Sequence, residues 1–199
     1  WFNGAGAFSV ATPPEIPSVQ APWLTPANTF WYYNTVPPYQ SGRRYLVVAK
    51  PIDRAGNEMT GANITVGVNS NTFSYDSSSA TAYLAQPATG PYNAATLTNI
   101  TGTATDDFSG VQVVMMQIRD ITQGATYWNG TDFVNSVTTV DVAIAGSTVS
   151  SVNPSFSTFT YSVGALVTKL RSGSRYTINV RGRDVAQNID QTGTTWTIL

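Results

Sequence analysis

The chain spells out one strand and its turn twice. Residues 43–57 read RRYLVVAKPIDRAGN and residues 174–188 read SRYTINVRGRDVAQN. The offset of 131 that separates Asp53 from Asp184 also pairs Gly42 with Gly173, Tyr45 with Tyr176, Ala55 with Ala186 and Asn57 with Asn188. Three further blocks recur in the same order. WFNGAGAF at 1–8 answers YWNGTDF at 127–133, NTFWYY at 28–33 answers STFTYS at 157–162, and TFSY at 72–75 answers TWTI at 195–198. One block could arise by chance, but four in order with small length changes predict an internal duplication.

The second copy has a front section, residues 77–126, with no counterpart in the first. Residues 1–76 therefore read as the back half of a module and residues 77–199 as a complete one, a segment of a tandem array. The pattern is all-β: short runs rich in Val, Ile, Thr, Tyr and Phe, bounded by Gly, Pro, Asn and Ser, with no long amphipathic helix. In the complete copy, strands are expected at 81–84, 95–105, 110–120, 126–135, 138–144, 158–163, 175–183 and 193–199.

Side chains alternate across a pleated sheet, so comparing the two copies of the repeated strand assigns its faces. Tyr45, Val47 and Ala49 match Tyr176, Ile178 and Val180, a set that stays apolar and should face the core. Leu46, Val48 and Lys50 match Thr177, Asn179 and Arg181, so Leu46 and Val48 are apolar residues on an outward face. Such residues are common on surfaces, but the pair is also a candidate contact with a neighbouring module or subunit.

Composition removes several function classes. The 42% hydrophobic content can build a core, while only 11% of residues are charged. The net charge of -1 offers no electrostatic footprint for nucleic acid, and no apolar stretch approaches the roughly 20 residues of a membrane span. With no Cys and no His, thiolate and Ser-His-Asp chemistry are excluded. The only glutamates are Glu15 and Glu58, and the only lysines are Lys50 and Lys169. A Lys–Asn isopeptide crosslink would need Lys50 buried beside an acid, whereas its parity points outward. No enzymatic activity and no cofactor are expected.

The combination of ITGTATDDFSGV at 100–111, YWNGTDF, and SGSRYTINVRGRDVAQN one strand before the module closes resembles the bacterial immunoglobulin-like repeats of very large surface proteins. Those repeats are similar in architecture to fibronectin type III modules. The resemblance implies tandem immunoglobulin-like β-sandwich modules, the first incomplete on its N-terminal side. It also implies an extracellular or cell-surface location and a mechanical or adhesive role.

The residues nominate their own candidate sites. Asp53 and Asp184 sit where a core strand enters a hairpin, where an Asp side chain accepts backbone N–H bonds and Gly or Asn tolerates positive φ. Asn57 and Asn188 fit the same structural role. The rival reading is Ca²⁺ at a module junction, with Asp53, Asn57, Asp106, Asp107, Asp184 and Asn188 as oxygen donors. Among the aromatics, Trp31 and Tyr33 stand opposite Thr160 and Ser162 in the second copy, and Trp23 lies in a Pro-rich stretch, residues 12–26, that differs between copies. These three are candidates for a glycan or protein contact. Asn63, Asn99 and Asn129 begin Asn-x-Ser/Thr sequons, open to glycosylation if the host modifies them. The expected role is a structural segment of a stalk, fibre or surface layer that self-associates or packs on neighbouring modules. The alternatives are an adhesin and an accessory module of a secreted polysaccharide-degrading enzyme.

Overall fold

A computed structural model describes residues 37–53, 55–59, 65–122, 124, 126–142, 144–145 and 155–198. The protein is all-β, built from several antiparallel sheets. Strands β1 (Arg43–Val48) and β2 (Ser70–Tyr75) form a two-stranded sheet. Strands β3 (Thr81–Gln86), β4 (Asn99–Asp106), β9 (Ile144–Ala145) and β10 (Ser155–Ser162) form a second sheet, in the order β3-β4-β10-β9. The third comprises β5 (Val111–Asp120), β6 (Thr126–Trp128), β7 (Phe133–Val134), β8 (Val140–Val142), β11 (Tyr176–Asp184) and β12 (Thr194–Ile198). It runs β12-β11-β5-β6-β7, with β8 also paired to β5. A single helical turn, α1 (Gly164–Val167), links β10 towards β11.

The second and third sheets share one apolar core. Alternation is strict along β4 and β11 and along β5 from Val114 onward, so Ile100 and Ala104 from one sheet meet Met116, Ile118, Ile178 and Val180 from the other. Burying each large aliphatic side chain contributes about 1.5–3 kcal/mol, which makes this face the main source of stability. Trp128 is fully buried, its indole N–H donating to the Tyr161 hydroxyl at 2.9 Å. The expected inward set Tyr176, Ile178 and Val180 lies in this core.

Some expected strands are interrupted by side-chain turns. The run expected from residue 95 starts instead at Asn99, because the Asn93 Oδ1 accepts the backbone N–H groups of Ala95 and Thr96 and holds a turn there. The run expected over 126–135 breaks at Asn129, whose Oδ1 accepts the N–H groups of Thr131 and Asp132, with Gly130 at φ +103°. The run expected over 138–144 splits because the chain changes sheets, β8 pairing with β5 and β9 with β10.

In the first copy, Val47 is 41% exposed, although its parity matches that of fully buried Ile178. Among the described residues, β1 pairs with β2 alone, so no second apolar layer covers it. Leu46 is 47% exposed, as its outward parity requires, while Val48 is half-buried. Aromatic packing holds this hairpin instead: Tyr39 sits 4.8 Å from Tyr45 and 5.1 Å from Phe73, ring centroid to ring centroid. The pairing of TFSY with TWTI also shifts by two residues. Tyr45 faces Phe73 whereas Tyr176 faces Ile198, which places Phe73 rather than Tyr75 opposite the role of Ile198.

Candidate metal centre where two core rows end

The repeated turn has the same internal bonding in both copies. Asp53 N–H donates to the Asn57 carbonyl at 3.1 Å, and Asp184 N–H donates to the Asn188 carbonyl at 3.1 Å. The Asp53 carboxylate accepts the Asn57 N–H at 2.9 Å and its side-chain amide at 2.7 Å; for Asp184 and Asn188 the distances are 2.7 and 2.8 Å. Gly56 takes φ +83°, and Gln187 takes φ +74° at the matching place. Five residues before each turn's strand reaches its tyrosine, the chain folds back on it. Gln40 N–H donates to the Tyr45 hydroxyl at 2.7 Å, and Arg171 N–H donates to the Tyr176 hydroxyl at 2.8 Å.

What differs is the surroundings. Asp53 is exposed, whereas Asp184 has no solvent exposure. Asp184 is the last residue of the inward row Tyr176, Ile178, Val180, Gly182, Asp184. A register shift beside it leaves Gln112 of β5 unopposed, the kind of bulge that re-aims side chains at strand ends. Asp106 ends the inward row of β4 in the same way, after Ile100, Gly102 and Ala104, and is 4% exposed. Both rows end on the side of the molecule where residues 107–110 connect β4 to β5, and the Val185 N–H donates to the Gly110 carbonyl across that gap.

Asp76 completes the group from the segment between β2 and β3. One carboxylate oxygen from each of Asp76, Asp106 and Asp184 lies within 4.8 Å of the others. Asp76 Oδ1 accepts the Ser41 hydroxyl and the Ser78 N–H, both at 3.0 Å, and its Oδ2 accepts the Ser109 N–H at 3.0 Å. The Asn188 side-chain amide bridges the group, donating to the Asp76 carbonyl at 3.1 Å as well as to Asp184. Asp106 Oδ2 accepts the N–H groups of Phe108 at 3.0 Å and Gly110 at 2.6 Å. Its other oxygen, Oδ1, is buried without a hydrogen-bond partner.

The electrostatics follow from this geometry. Burial pushes the Asp106 carboxyl above its ordinary value, against the Gly110 and Phe108 N–H groups, and the negative charges of Asp76 and Asp184 push the same way. Burial also acts on Asp76, but the hydrogen bonds from Ser109, Ser78 and Ser41 outweigh it and hold that carboxyl below the usual range. The ion pairs Lys169–Asp132 and Arg183–Asp141 involve none of the three carboxylates. A cluster of hard carboxylate oxygens of this kind suits an alkaline-earth cation. A shallow depression of about 310 Å³, lined by Ser78, Ser79, Thr81, Thr105, Asp106 and Asp107, opens beside it.

Of the calcium candidates named from sequence, Asp106, Asp184 and Asn188 come together, while Asp53 and Asn57 form their own exposed pair and Asp107 stays exposed outside the cluster. Asp76 was not among them. Its partners Ser41, Ser109 and Asn188 are distant in sequence, and the local signal was the Asp-x-Ser turn it forms with Ser78. Asn99 and Asn129 are exposed, with the Asn129 side-chain oxygen already holding its turn. Lys50 is exposed, as its parity requires. Trp23, Trp31, Tyr33 and Asn63 lie outside the described residues.

Fold and site together define an all-β chain of antiparallel sheets with an acidic cluster at one end of its core. No protein-family model and no curated protein matches it.

Proposed function

We propose that the chain is a segment of an extracellular tandem array of immunoglobulin-like β-sandwich modules, with a structural role in a stalk, fibre or surface layer. The observation that carries this reading is the doubled construction of strand and turn. The same Asp–Asn bonding and the same tyrosine hydroxyl to backbone bond stand 131 residues apart. A tyrosine hydroxyl bonded to backbone a few residues upstream is a recurrent corner in immunoglobulin-like sandwiches, and two sheets closing on one core fit that architecture. Units joined in series add length, because each packs mainly on its neighbours.

A catalytic reading of the acidic cluster is disfavoured by access. Asp184 has no exposure and Asp106 is 4% exposed, so a substrate would not reach two of the three carboxylates. The role we assign is non-catalytic. Immunogold electron microscopy of cells that produce the protein tests it: label on elongated surface structures is expected. Label confined to the cell interior would overturn the reading, and a soluble ligand captured without any surface assembly would favour the adhesin instead.

A further inference from the structure

We propose that Asp76, Asp106 and Asp184 together bind a Ca²⁺ ion that ties the segment between β2 and β3 to the far ends of β4 and β11. Ca²⁺ takes six to eight oxygens at about 2.3–2.6 Å, so two ligands on opposite sides of it are separated by about 4.8 Å. The three carboxylates lie within that spacing. A second observation points to a missing partner: the Asp106 Oδ1 is buried with no hydrogen bond, a costly state for a carboxylate oxygen that an ion would satisfy. Waters and the remaining lone pairs of Asp76 and Asp184 complete the shell.

The placement gives the ion a mechanical consequence. Asp76 lies in the join between the two copies, and Ser41, at the turn that opens β1, donates to it. Asp106 and Asp184 belong to the two sheets that share the core. One ion would therefore hold the join and both sheets of the second unit, stiffening the chain where a series of units would otherwise bend. Without the ion, three carboxylates repel one another at the same point.

Calorimetric titration of the 199-residue chain, first stripped with a chelator, tests this with CaCl₂ and MgCl₂ as separate titrants. Saturable Ca²⁺ binding with a Kd of about 0.1–1 mM is expected, as in other extracellular modules, with Mg²⁺ at least about tenfold weaker because it sheds water reluctantly. Asp106→Asn keeps an oxygen for the Phe108 and Gly110 N–H groups and removes one charge. It should weaken Ca²⁺ at least about tenfold, whereas Asp107→Asn, in the same loop but outside the cluster, should not. If Asp106→Asn fails to give the wild-type circular dichroism spectrum, Asp76→Asn in the half-buried join takes its place with the same expected loss. No saturable Ca²⁺ heat, equal binding of Mg²⁺, or undiminished binding by the variant would overturn the proposal. Ion binding is decided by this titration whether or not the chain belongs to a surface array.

Discussion

Gln187 holds φ +74° where its counterpart Gly56 holds φ +83°. A side chain in that region costs about 1–2 kcal/mol, and Gln187 recovers part of it through long, exposed contacts to Gln112 and Val185 at 3.2 and 3.3 Å. The replacement Gln187→Gly should therefore raise stability by about 0.5–1 kcal/mol, read as a higher urea midpoint with unchanged slope. A lower midpoint would mean that the Gln112 contact outweighs backbone strain. At this scale the sequence was informative where a residue acts on its near neighbours. The turn roles of Asp53, Asn57, Asp184 and Asn188 could be read from spacing alone, since their bonds span four residues. Asp76 could not, because its Asp-x-Ser turn is a common local pattern and its other partners arrive from the turn after β11, the β4–β5 loop and the turn before β1.

Gly102, in the middle of β4, shows how the elements fit. A Cβ there would collide with the Tyr83 carbonyl and with the Phe159 ring, at 2.5 Å. The missing side chain lets the Phe159 ring pack close against the strand in the buried core. Gly102→Ala should cost about 1–3 kcal/mol by overpacking, measured as a reduced melting temperature with the β-sheet circular dichroism retained. An unchanged melting temperature would show that the Phe159 ring and the β3 backbone at Tyr83 both shift aside at little cost. Strand identity was legible from β-branched and aromatic runs, and face from parity, as Tyr176, Ile178 and Val180 demonstrate. Parity also places Asp106 and Asp184 at the ends of inward rows, a signal of the site that the loop-based reading passed over. Strand breaks at Asn93 and Asn129 were harder, because a single side chain redirected the backbone against the local propensity. The exposure of Val47 was beyond reach, since burial depends on what lies opposite a strand and not on the strand itself.

At the scale of the whole molecule, the apolar core of the described residues lies in the second copy. Among the described residues the buried apolar cluster falls between Ala80 and Ile198, while the described part of the first copy is a hairpin held by edge-on aromatic contacts. If the chain is built of units in series, as proposed, they should yield to load separately, the second as one cooperative body. Stretching single molecules of the chain from end to end measures this directly. The account predicts a dominant unfolding step that releases residues 77–199, a gain of roughly 400 Å at the extended length of the chain. A single step approaching roughly 650 Å, the extension of all 199 residues at once, would contradict it by making both copies one indivisible fold.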